Sequence, residues 1–169
     1  MSTKFLPDEK TALFWVAQLL TELSRFASRS PSRSLQALVF LDEADLYLPA
    51  TSKPVTKQPM ESLLKRARSA GIGVVLATQS PGDLDYKCRE NVRNWFMGLV
   101  KERTALEKLK PLAAEASFDA TALLPKQKVG QFFMVTEKAC VPFLAEPSLL
   151  ETRQLPEHWI LERARASLG

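Results

Sequence analysis

LVFLDEAD, residues 38–45, is a continuous apolar run that stops abruptly on two acids. Four apolar residues in a row are too few for a helix and suit a strand covered on both faces of a parallel sheet. Such a strand delivers Asp42 and Glu43 to the carboxyl edge of the sheet, where open α/β folds bind their ligands. A carboxylate pair fixed there by a rigid strand has a defined use in phosphoryl transfer. The first acid holds a magnesium ion, usually through water, and the second orients or deprotonates the attacking water. The plainer alternative is that the acids merely cap the helix that follows.

Working outward, GVVLATQSP at residues 73–81 is a second buried strand pattern, spanning 72–78 and ending in Thr78 and Gln79. A neutral amide at the same sheet edge can hydrogen-bond both a water and a phosphate oxygen, and so register whether a terminal phosphate is present. A polar pair that simply opens a loop is the competing reading. Between the two strands, Met60, Leu63, Leu64 and Ala67 recur at helical spacing, and Gly71 ends the helix. Arg68 stands near that end. A guanidinium so placed can reach a phosphate across a subunit boundary, an arrangement worth about 10³ to 10⁵ in rate where it operates. Basic residues at a helix C-terminus are also favoured by the dipole alone, and Lys65 and Arg66 fit that simpler account.

The remaining segments fill in an α/β pattern with a parallel sheet. Pro7, Asp8 and Glu9 open a helix over 8–27 with an apolar face, and a Ser- and Arg-rich loop follows at 28–34. Pro49, Pro54 and Pro59 bracket a polar segment expected to be irregular, carrying Lys53 and Lys57 as candidate nucleic-acid contacts. A short helix is expected at 85–92, a strand at 95–100 and a charged helix at 102–114. Two strand-like runs, 128–136 and 140–145, predict a hairpin, and 156–166 a closing amphipathic helix. Trp95 and Trp159 read as packing residues, and His158 has no partner ligands in sequence.

Composition narrows the class. The chain has 169 residues, 46% of them hydrophobic and 25% charged, enough for one domain with its own core. Its net charge of +4 is spread along the chain, which permits a nucleic-acid partner without arguing for one. Cys88 and Cys140 lack metal-site spacing and read as reduced thiols. No stretch reaches the length of a membrane span, so the expected partner list excludes membrane and the expected location is cytoplasmic.

Together, Asp42 and Glu43, the helix with Arg68, the ATQSP strand end and the DLDYKCREN segment at 83–91 with Trp95 and Gly98 behind it resemble the HerA/FtsK class of P-loop ATPases, in particular its bacterial HerA-like members. The resemblance includes the strand-like opening at 2–6 and covers most of the chain. It implies a partial RecA-like core over residues 1–125, with the terminal hairpin and helix at 126–169, in a single domain. It further implies a ring-type homo-oligomer that binds ATP with magnesium between subunits and moves along double-stranded DNA. Asp42 would match the magnesium-side carboxylate, Glu43 the catalytic glutamate of the Walker B strand, Gln79 the polar sensor and Arg68 the finger acting in trans, with Thr78 beside Asp42 as a cofactor-binding residue.

One departure is large. The sequence contains no GxxxxGK[ST], and its 6 glycines cannot build a phosphate-cradling nest. The expectation is a C-terminal part of a motor that does not hydrolyse ATP alone and binds neither ATP nor magnesium tightly. The strand that leads into that loop sits centrally in the class, so its absence implies an unpaired apolar edge and either self-association or a rearranged strand order. A non-catalytic binding or regulatory module that keeps the fold is the alternative. An unrelated α/β hydrolase using Asp42 and Glu43 is a third, disfavoured because the only histidine is His158.

Overall fold

In a computed structural model, all residues are described except 1, 2, 4, 86, 87, 89, 90, 150, 152, 154, 168 and 169. The chain begins with α1, Glu9–Arg29, whose first turn is capped by the Asp8 carboxylate accepting from the Thr11 N–H at 2.8 Å. Next come β1, Ala37–Leu41, the short α2, Ala44–Tyr47, and α3, Lys57–Arg66, which tightens into a 3-10 turn over Ala67–Ala70. Strand β2, Ile72–Leu76, lies parallel to β1, with Ala37 opposite Ile72 and Leu41 opposite Leu76.

The register explains the first core. Ala37, Val39 and Leu41 share a face with Ile72, Val74 and Leu76 and pack against Leu20, Met60 and Leu63 from α1 and α3. The opposite face carries Leu38, Phe40 and Val75, which are exposed. Burial on both faces was expected from the apolar run, and the structure corrects this: the helices cover one side only. Parallel sheets are usually covered on both faces, and among the described residues nothing covers this one.

The strand expected at 95–100 is the shorter β3, Trp95–Met97, and it joins the hairpin of β4, Gln131–Val135, and β5, Cys140–Leu144, in an antiparallel sheet of order β3-β4-β5. Helices α4, Arg103–Glu115, and α5, Ala120–Leu123, complete a second core around Leu109, Leu124 and Val135. The Lys108 ammonium donates to the Gly82 carbonyl, tying α4 to the segment after β2. Helix α6, Glu157–Ala166, forms where the pattern predicts, but no residue of it is buried and Trp159 is 55% exposed, so neither the closing helix nor Trp159 packs a core. No helix among the described residues is long and apolar enough to cross a membrane.

Three local departures have simple causes. Pro59 sits in the first turn of α3, not in an irregular segment, because a proline there gives up an N–H that has no intrahelical acceptor anyway. Of the strand-like opening at 2–6, Phe5 and Leu6 lie in a turn or bend, and residues 2 and 4 lie outside the described residues. Half of the helix expected at 85–92, residues 86, 87, 89 and 90, also falls outside them. Gly71, at φ +62°, ends the 3-10 turn so closely that a Cβ would stand 2.0 Å from the Ser34 carbonyl oxygen. Gly71→Ala is therefore expected to cost ~2 kcal/mol or more, from left-handed backbone strain plus a clash with main chain. The check is a lowered urea midpoint at unchanged m-value; an unaltered midpoint would show that the contact yields freely.

Candidate functional site at the carboxyl edge of the parallel strands

Beyond Leu41 and Leu76 the two strands stay linked by backbone. The Ala77 N–H donates to the Leu41 carbonyl at 2.9 Å, and the Ala44 N–H donates to the Ala77 carbonyl at 2.8 Å. These bonds carry the pairing past the last strand residues and bring the segment Asp42–Glu43–Ala44 against Ala77–Thr78. Sequence alone ends β2 at Thr78; it ends at Leu76 because the backbone of 77 turns to bond with Ala44.

Asp42 and Glu43 are both exposed at this rim, and so is Gln79. Glu43 has φ 51° and ψ 47°, a left-handed conformation that a residue with a Cβ adopts at a cost of about 1–3 kcal/mol. Its side chain makes no capping bond to α2, although its position is that of the cap residue. The cap reading thus fails for Glu43. Its N–H donates to the Asp42 Oδ1 at 3.0 Å, which fixes one oxygen of that carboxylate and leaves the rest of the group facing outward.

Thr78 links the rim together. Its hydroxyl donates to the Asp45 Oδ1 and accepts from the Ser80 N–H at 2.9 Å. With its only proton given to Asp45, Thr78 is placed to position the loop that presents Gln79. Asp45 has no role in the sequence reading, although its spacing is visible in DEAD: two residues past Glu43, on the first turn of α2, it faces back over the strand ends. Tyr47, two residues further on α2, has its phenol raised above its ordinary pKa chiefly by burial, then by the charges of Glu43 and Asp42.

The other expected residues lie elsewhere. Arg68 is exposed on the 3-10 turn just before β2, at the amino end of the strands whose carboxyl end carries the acids. Lys53 is exposed on the Pro-rich segment. Lys57 is not on that loop: it is the first residue of α3, its ammonium 2.6 Å from Asp85 and 2.8 Å from the Pro49 carbonyl, with its side chain 14% exposed. Its charge is directed inward to hold the loop, which corrects the expectation that it faces nucleic acid. His158 lies on α6 with its ring edge-on to Trp159, 6.2 Å between centroids. Cys88 is buried and Cys140 partly buried, and neither forms a disulfide.

The donor set suits a hydrated magnesium ion better than a protein-caged metal. Among the described residues no three histidine, cysteine or acidic side chains converge. Magnesium keeps much of its water and is held by one or two carboxylates together with substrate phosphates, for which two exposed acids on a rigid rim suffice.

Residues 6–102, more than half of the chain, match the profile of the family described as Zonular occludens toxin (Zot), and this stretch contains every residue of the rim. No curated protein matches the chain. Among solved structures, it is similar to VirB4 of Thermoanaerobacter pseudethanolicus, at 17% identity and TM-score 0.62, over 86% of this chain and 40% of that one. It is also similar to the genome packaging NTPase B204 of Sulfolobus turreted icosahedral virus 2 in complex with AMP, at 19% identity and TM-score 0.57, over 80% of this chain and 62% of that one. The chain spans less than two thirds of either structure, and at these identities the likeness establishes the fold, that of RecA-like P-loop NTPases. By profile match and fold, the chain belongs to the Zot family, among the FtsK/HerA-type P-loop ATPases.

Proposed function

We propose that this chain supplies the carboxylate half of an ATP-hydrolysing nucleic-acid motor. The observation that carries the reading is the rim itself: Asp42, Glu43 and Gln79 exposed together where two parallel strands end, with Thr78 and Asp45 bracing the loops beneath them. The AMP bound to B204, a genome packaging NTPase, supports ATP as fuel and a nucleic acid, double-stranded DNA in the first instance, as cargo.

In this reading Asp42, its carboxylate oriented by the Glu43 N–H, would hold magnesium through water. A magnesium ion bound there would neutralise charge on the β- and γ-phosphates. Glu43 takes a proton from the attacking water and Gln79 aligns that water against the terminal phosphate. Thr78 and Asp45 hold Gln79 in register with the acids. Arg68, at the far end of the strands, serves a neighbouring copy, which makes a homo-oligomeric ring the working form. Residues 1–125 act as the motor core and 126–169 as its hairpin and terminal helix within one domain, in a cytoplasmic setting. The phosphate-loop strand supplied by the other half would pair with an open edge of the β1–β2 sheet, and without it the chain is expected to self-associate through that edge or to rearrange its strands.

The test uses a polypeptide in which a phosphate loop precedes this chain. Asp42→Asn is expected to raise the magnesium concentration for half-maximal turnover about tenfold or more, and an unchanged requirement would remove Asp42 from the metal side. The alternative reading is a binding module that keeps the fold without turnover. A phosphate loop in frame upstream in the gene supports the motor, and an unrelated gene there supports the module.

A further inference from the structure

Two segments leave the carboxyl ends of the parallel strands, 42–50 after β1 and 77–85 after β2, and they meet again beyond the rim. The Asp85 N–H donates to the Leu48 carbonyl at 2.9 Å and the Ala50 N–H to the Asp83 carbonyl at 2.7 Å, around an antiparallel bridge between Pro49 and Leu84. The stretch that carries Gln79 is therefore a loop with two anchors. The near anchor joins Ala44 to Ala77 and Thr78 to Asp45, and the far anchor is this second junction.

Both sides of that junction are gripped from the start of α3. The Lys57 ammonium has three protons and three acceptors around it: Asp85 Oδ2 at 2.6 Å, the Pro49 carbonyl at 2.8 Å and the Ser52 carbonyl at 3.4 Å. The Lys57 side chain is 14% exposed and that of Asp85 9%. A buried ion pair is a weak source of stability beside an apolar pair of the same shape, because desolvation offsets the attraction. Three directed bonds from one ammonium do, however, fix residues 49, 52 and 85 relative to α3. Thr56 is used in a similar way. It stands at the N-cap of α3, where a threonine oxygen ordinarily accepts from its own helix, yet it makes no such bond. Its hydroxyl, fully buried, donates instead to the carbonyl of Tyr47, the last residue of α2, at 2.8 Å. Two successive residues thus hold the two sides of the rim, Thr56 the side of α2 and the acids, Lys57 the side that returns from Gln79. One turn and two turns behind them Met60 and Leu63 are fully buried in the first core, so the grip comes from a rigid body.

We propose that Thr56 and Lys57 are positioning residues that set the spacing of Gln79 from Asp42 and Glu43. The inference rests on the motor reading for the reaction that this spacing serves, and on these contacts alone for the spacing itself. Gln79, Asp42 and Glu43 are exposed, so their separation is fixed by the backbone that carries them and not by packing of their side chains. A displacement of about 1 Å in a group that aligns a reactant can cost on the order of 10²-fold in rate. The two residues of α3 therefore act on the chemical step, through Gln79, and leave the affinity for nucleotide alone.

On the chain itself, amide hydrogen exchange is compared in Lys57→Met, which keeps the apolar stem and removes the ammonium, and in the milder Thr56→Val, which keeps the shape and removes the hydroxyl. The Ala44 amide, bonded across the rim to Ala77, and the Ala50 amide are expected to exchange about tenfold faster in both variants, while amides of α4 around the buried Leu109 hold their rates. Unchanged exchange at Ala44, or an equal rise along α4 in both variants, overturns the proposal. In the polypeptide that also carries a phosphate loop, Lys57→Met is expected to lower kcat by about ten- to a hundredfold with KM for ATP within about twofold. In a Gln79→Ala background the same substitution is expected to cost no more than about twofold, because the group it aligns is already gone. A full loss in that background, or a raised KM at unchanged kcat, shows a merely structural or binding role and overturns the proposal. If the unsubstituted polypeptide does not turn over ATP, the motor reading fails instead, and exchange at Ala44 still decides whether α3 sets the rim.

Discussion

In a polypeptide that also carries the phosphate loop, Glu43→Gln is expected to lower ATP turnover by about 10² to 10⁴-fold while ATP binding is retained. The substitution removes one negative charge and one proton acceptor and preserves length, branching and backbone preference. Because Glu and Gln bear the left-handed φ of 51° equally badly, the change isolates chemistry from strain. A partner substitution separates the two in the other direction. Glu43→Gly removes the strained Cβ and is expected to raise stability by about 1 kcal/mol while abolishing turnover. Steady-state hydrolysis, nucleotide affinity and a denaturation midpoint measure all three quantities. If Gln at 43 turns over ATP at the original rate, Glu43 is not the base; if Gly at 43 lowers stability, the strained conformation is held by contacts of the side chain and not imposed for function.

The strained glutamate marks where the sequence was readable and where it was not. LVFLDEAD and GVVLATQSP predict both parallel strands, and the structure pairs them residue for residue, because continuous apolar runs bounded by acids or Gly and Pro encode a strand locally. The capped helix α1 and the β4–β5 hairpin were legible for the same reason. Expected burial was not, since Leu38 and Phe40 are apolar whether or not anything covers them, and periodicity within one segment says nothing of a missing neighbour. The fate of β3 depended on a partner some 35 residues further on, β4, which no local pattern identifies. At the rim, residue types announced Asp42, Glu43 and Gln79, but the Thr78–Asp45 bond joins segments 33 residues apart. Lys57 was misplaced through Pro59: a proline was taken to exclude helix, when at the first turn it is compatible with one.

Arg68→Ala is expected to reduce turnover by about 10³ to 10⁵-fold in a homogeneous ring and to be rescued when mixed with subunits that keep the arginine but carry Glu43→Gln. The two lesions lie at opposite ends of one pair of parallel strands, so each subunit retains one intact end. If the ends of successive copies meet, a subunit with a good rim beside a subunit with a good guanidinium restores one complete site, and mixed rings recover activity that neither parent has. If Arg68 acted within its own chain, every mixed site would lack one essential group and mixing would restore nothing. The position before β2 makes the in-chain alternative hard to build, since the arginine would have to reach past the whole strand to a phosphate beside Asp42. Turnover measured across mixing ratios therefore decides the geometry of the assembly as well as the role of the residue: a maximum at intermediate ratio requires shared sites, and a flat baseline at every ratio would place Arg68 outside the reaction of its neighbour.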